Sequence, residues 1–234
     1  MNGRIWELDA LRGICLLGMV LVHLSYDLDT AGLVPMPGSL SALQRWGGVA
    51  FLLISGICVT LGRRHIRRGL VVLGCGLVCT AVTGAMYLLG MADRSILIWF
   101  GVLHCLGSCM VLWSLFSRLP RWALGLTGLL AAVLGLLMEN TLVDFPWLIF
   151  LGLRTPGFAS ADYFPLLPNL GWFLIGAWLG RCLYRERRSL LPNAPTHNPL
   201  IRSLCFMGRH SLIIYLLHQP LLTAITALAS GLRP

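Results

Sequence analysis

An all-α, polytopic integral membrane bundle of about seven transmembrane helices is the fold class this sequence predicts, and three observations predict it. Hydrophobic residues make up 57% of the chain and charged residues 12%, against roughly 25% charged in an ordinary soluble domain. Apolar stretches of about twenty residues recur along the whole length, each long enough to cross roughly 30 Å of hydrocarbon. All 18 basic residues are arginine, and most of them gather in alternate connections between those stretches.

The spans are centred near Met19, Leu53, Cys79, Ser108, Ala131, Ile175 and Leu216. The first follows a segment with acidic Glu7 and Asp9 and without a basic leader and small-residue cleavage site, so it is expected to remain in the protein. Between the fifth and sixth spans, Thr141 to Leu153 is broken by Asp144 and Pro146 and is too short to cross; it is expected at the interface or re-entering. The connection from Arg181 to Arg202, with Pro192, Pro195 and Pro199, reads as the flexible segment of an otherwise single domain over 1–234.

Sides follow from arginine placement. Arg4, Arg63, Arg64, Arg67, Arg68, Arg118, Arg121, Arg181, Arg185, Arg187, Arg188 and Arg202 fall in alternate connections, which places these and the N-terminus in the cytoplasm. Arg94, Arg154 and Arg233 fall on the other side, with the C-terminus. This placement assigns the net charge of +9 to orientation and anionic lipid, not to nucleic acid. The cysteines lie mainly inside apolar runs, with Cys75/Cys79 and Cys105/Cys109 four residues apart. They read as packing residues, and no metal site is expected.

Ionisable groups inside spans are costly, about 2.5–3.5 kcal/mol each on insertion scales, and mark candidate sites. On the first helix Asp9, Arg12, His23 and Asp27 stack on nearly one face. Asp27, one turn beyond His23, is placed to orient that ring and leave its other nitrogen as a base. On the last helix, read as MGRHSLIIYLLHQP, Ser211, Tyr215 and His218 form a second stripe with Gln219 beside it and Arg209 at the cytoplasmic end. His218 and Gln219 should reach the height of His23. Arg45, Asp162 and His104 are further candidates for contact with substrate; Arg45 is equally readable as a structural ion pair with Asp27 or Asp162, and a lone mid-membrane His104 reads first as an interhelical hydrogen-bond donor. The cluster Arg63, Arg64, Arg67 and Arg68 suits anionic lipid or a phosphate-rich ligand.

Five segments carry a resemblance: LDALRGICLLGMVLVH in the first helix, FLLISG at 51–56, FGVLHCLG at 100–107, DYFPLLPNLGWFLIGAWLG at 162–180 and GRHSLIIYLLHQP at 208–220. In this order they resemble the bacterial membrane proteins similar to the heparan-alpha-glucosaminide N-acetyltransferase catalytic domain, over nearly the whole chain. The resemblance implies acetyl transfer from cytoplasmic acetyl-CoA to a glucosamine-like acceptor across a bacterial cytoplasmic membrane. Arg12 and His23 match the spacing of an arginine and a catalytic histidine in the wider acyltransferase superfamily, and Arg64 and Arg67 resemble its RxxR motif. The eukaryotic enzyme's histidine after the first shared helix has no counterpart in 29–40.

The leading expectation is therefore an acyltransferase. Acyl-CoA docks on Arg63, Arg64, Arg67, Arg68 and Arg209, and His23 is the base with Asp27 as orienter. His218 or Gln219 donates to the oxyanion, and Arg12, Arg45, His104, Asp162 and Tyr215 contact substrate. The acceptor is an amino sugar or envelope glycan, and a homo-oligomer is an open option. Two other classes share these features: a solute or lipid transporter whose stripes line a passage, and a haem-binding electron carrier with His23, His104 and His218 as ligands.

Overall fold

The computed structural model describes residues 5–231, apart from the side chain of Ser41; Arg4 and Arg233, used above to assign sides, lie outside the described residues. Eight α-helices follow in order: α1 (Trp6–Thr30), α2 (Ser39–Leu61), α3 (His65–Leu88), α4 (Val102–Phe116), α5 (Arg121–Met138), α6 (Leu166–Leu183), α7 (Pro199–Arg209) and α8 (Ser211–Gly231). The seven apolar stretches are all helical. Six are long and apolar enough to cross a membrane, and α4, at 15 residues, is a shorter apolar helix. Leu70, Val71, Leu77 and Val78 stand exposed along α3, a face that an apolar solvent accommodates and water does not. The segment from Thr141 to Leu153 holds only a short 3-10 turn, Pro146–Leu151.

Two compact units divide the chain: Met1–Ile54 with Glu186–Pro234, and Ser55–Arg185. In the first, α1 packs against α7 and α8. The approach of α1 and α7 is closed by glycine: a Cβ on Gly13 would run into the Leu204 carbonyl, and one on Gly208 into the Asp9 carbonyl. Small residues permit such backbone contact.

The helix read from Met207 to Pro220 is in fact two helices. Asn198 caps α7 by accepting from the Leu200 amide at 2.9 Å, Pro199 opens the helix, and His210 ends it at φ −102°. The physical reason is a change of solvent preference. Arg202, Ser203 and Arg209 are exposed on α7, whereas α8 is apolar enough to span. The proline-rich connection before α7 is also tied down. Buried Glu7 accepts from Ser189 Oγ at 2.8 Å and from the Leu190 amide at 2.7 Å, and Trp6 Nε1 donates to the Leu191 carbonyl at 3.2 Å.

In the second unit α3 packs on α4, α5 on α6, and α4 on α6. Two arginines placed above by sidedness serve as helix stoppers. Arg181 donates to the carbonyls of Leu119 and Ser117 after α4, with its guanidinium 5.1 Å from the Trp113 ring centroid. Arg154 donates to the Glu139 carbonyl after α5 at 2.6 Å. Each satisfies carbonyls that a helix end leaves without partners.

Candidate functional site

One turn of α1 brings His23 and Asp27 to the same face, and α8 meets that face with His218 and Gln219. The His23 and His218 rings contact edge to face, centroids 4.9 Å apart at 66°. His218 is buried at 9% exposure. Its Nδ1 lies 2.6 Å from the Tyr215 carbonyl oxygen. A carbonyl only accepts, so Nδ1 carries the proton and Nε2 carries the lone pair. That Nε2 is buried and has no hydrogen-bond partner among the described residues.

Asp27 and Gln219 complete the cluster differently from the sequence expectation. Gln219 Nε2 lies 3.1 Å from both carboxylate oxygens of Asp27, so Asp27 orients Gln219 in place of the His23 ring. The orienter of a histidine is instead the Tyr215 main chain, and the histidine is His218. Gln219, with an N–H facing Asp27, presents a buried Oε1 that has no hydrogen-bond partner among the described residues. Oε1 is an acceptor at this position, and His218 in its neutral form is likewise an acceptor at Nε2.

Further along α1, Asp9 forms an ion pair with Arg209 at 3.7 Å, and Arg209 Nε also donates to the Cys205 carbonyl at 3.0 Å. The Cys205 thiol donates to the Trp6 carbonyl at 3.4 Å, and burial pushes that thiol above its ordinary range. Arg12 has a buried Nε without a hydrogen-bond partner among the described residues. Arg45 stands exposed near the start of α2.

His104 and Asp162 belong to the second unit, where their contacts are structural. The Thr80 hydroxyl donates to the Ile98 carbonyl at 2.7 Å and meets His104 Nε2 at 3.2 Å, while the Gly101 amide donates to His104 Nδ1 at 3.2 Å. Both ring nitrogens thus have polar partners within this unit. Asp162 accepts from the Val102 amide at 2.9 Å, at the positive end of α4. Arg63, Arg64, Arg67 and Arg68 are all exposed, around the first turn of α3. Among the described residues no cluster of metal-ligating side chains occurs.

Together these features define a polytopic helical membrane protein with a histidine pair, His218 of it buried, held between its first and last helices. Residues 4–220 match the family described as heparan-alpha-glucosaminide N-acetyltransferase, catalytic, and the chain belongs to that family of membrane acetyltransferases. Comparison with curated proteins finds no match, and neither does comparison with solved structures.

Proposed function

We propose that this protein transfers an acetyl group from cytoplasmic acetyl-CoA to an amino sugar or envelope glycan on the far side of a bacterial cytoplasmic membrane. The observation that carries the reading is the buried, lone-pair-bearing Nε2 of His218 against the ring of His23. Acyl transfer requires a base for the acceptor's N–H or O–H and a donor for the oxyanion formed at the thioester carbonyl. His218 takes the first role, because its tautomer is fixed with the basic nitrogen free. His23, first read as the base, takes the second as donor to the oxyanion.

The acceptor's nitrogen or oxygen bonds to the acetyl carbon as its proton passes to His218. Collapse of the tetrahedral intermediate breaks the C–S bond, and the leaving thiolate takes that proton to give free coenzyme A. The four exposed arginines at the start of α3 supply the charge for the phosphates of coenzyme A. Arg12, one more cation on the α1 stripe, remains a candidate contact for substrate. The test is transfer of radiolabelled acetyl from acetyl-CoA by the purified protein in liposomes, offered amino sugars and neutral glycans. A labelled product lost in His218→Ala supports the reading; label transfer at the unchanged rate in that variant ends it.

A further inference from the structure

A glutamine amide can point either way, and at Gln219 the neighbouring carboxylate decides. Both Asp27 oxygens lie 3.1 Å from Nε2; a reversed amide would set Oε1 against them, acceptor facing acceptor. The amino group therefore faces Asp27, and Oε1 is turned away from it. It is buried and unpartnered among the described residues, as is Nε2 of His218, the next residue on the helix and itself 9% exposed. Buried acceptors without donors are rare in folded proteins and call for an explanation. Two of them on adjacent residues, in one cluster, point to a ligand that brings hydrogens.

The charge behind the amide narrows the ligand. Hydrogen bonding to a carboxylate polarises the Gln219 amide and strengthens Oε1 as an acceptor. The negative charge of Asp27 also favours a donor that is a cation over one that is neutral. An ammonium group satisfies both conditions, and a hydroxyl only the first.

We propose that Asp27 and Gln219 form the acceptor-binding dyad of this protein: Asp27 is the positioning residue that locks the amide, and Gln219 Oε1 receives an N–H of an amine that binds as the ammonium and gives up one proton to water before its nitrogen attacks. The inference rests on the acetyl-transfer reading of the same site. It removes Gln219 from oxyanion stabilisation and makes it the residue that reads the acceptor.

The experiment uses the full-length protein in nanodiscs and calorimetric titration with two probes, methyl glucosaminide and methyl glucoside, which differ by an amine against a hydroxyl. Wild type is expected to bind the amino sugar at least about tenfold more tightly, the scale of one charge-assisted hydrogen bond. Asp27→Asn, which is isosteric and lets the amide turn, and Gln219→Leu should each remove that preference, with the glucosaminide losing more affinity than the glucoside. The double variant should be no weaker than Gln219→Leu alone, because both changes act through one oxygen. Equal affinity of wild type for the two sugars, no binding of either, or a preference that survives Asp27→Asn overturns the dyad. Radiolabelled acetyl transfer in the same samples separates the two readings. Dyad-dependent binding without acetylated product sinks the reaction and keeps the dyad, whereas product formation with variant-independent binding does the reverse.

Discussion

His23 and His218 meet edge to face with ring centroids 4.9 Å apart, although they are the contributions of the first and last helices. If one ring removes the acceptor proton while the other steadies the oxyanion, the two act as a unit. His218→Ala should then lower the acetyl-transfer rate by about 10² to 10⁴, the usual contribution of general base catalysis. His23→Ala should lower it comparably, and the double variant little further, since residues acting together are non-additive. Rates in liposomes for the two single variants and the double variant check this. Losses that multiply independently would separate the pair.

Buried Glu7 holds the connection ahead of α7 through Ser189 Oγ and the Leu190 amide. Glu7→Ala leaves both donors without that acceptor, at a cost of about 1–3 kcal/mol for each left buried. The neighbouring Arg187 and Arg188 are exposed, so release of the loop should speed tryptic cleavage there several-fold. Glu7→Gln, which keeps one acceptor oxygen, should fall in between. Limited proteolysis with identification of the new N-terminus decides it, and identical cleavage rates in all three proteins would count against the latch.

The seven apolar helices were legible in the sequence because crossing hydrocarbon demands a contiguous run of about twenty apolar residues, a local property. The common height of His23 and His218 was legible too, from helical rise alone. Their hydrogen-bond partners were not, because these depend on how far α8 is turned about its axis when it meets α1. A rotation of one residue's worth exchanges what faces Asp27. The interhelical hydrogen bonding of His104 was legible as well, but its partners Thr80 and Gly101 were not, because they meet the ring only after α3 and α4 pack. The start of α7 was written in the chain as Asn198 followed by Pro199, a cap and a first-turn proline. An 11-residue amphipathic helix makes no run that a search for spans detects.

Packing of α7 onto α1 depends on the absence of a side chain at Gly208, where a Cβ would overlap the Asp9 carbonyl. The obstacle is helical backbone in the first turn of α1, so relief requires the helices to part. Gly208→Ala should therefore destabilise the protein by about 1–3 kcal/mol as an overpacked contact. The Asp9 to Arg209 ion pair, next to the contact, should loosen with it. Thermal unfolding in detergent is the measurement; Gly74→Ala, at an open position on α3, is the control and should leave the midpoint within the range of an ordinary surface change.

Tyr163 offers a prediction that depends on pH. Its hydroxyl donates to the Ile149 carbonyl at 2.7 Å, its ring packs edge to face on Phe158, and burial pushes its ionisation from 10 up to about 12. The residue lies just ahead of α6, outside the spans. Between those two values the native state keeps the phenol proton while the unfolded chain has lost it. The unfolded state then binds fewer protons, so stability falls as pH rises through that window and is complete below it. Tyr163→Phe keeps the ring contact but deprives the Ile149 carbonyl of its donor, so it should be less stable below pH 10 by about 1 kcal/mol. Above pH 10 the gap between the variant and wild type should narrow, because only wild type pays to hold the proton. Denaturant unfolding of both proteins at pH 8, 10 and 11.5 checks the sign, and a gap that stays constant or widens with pH would remove Tyr163 from the alkaline transition.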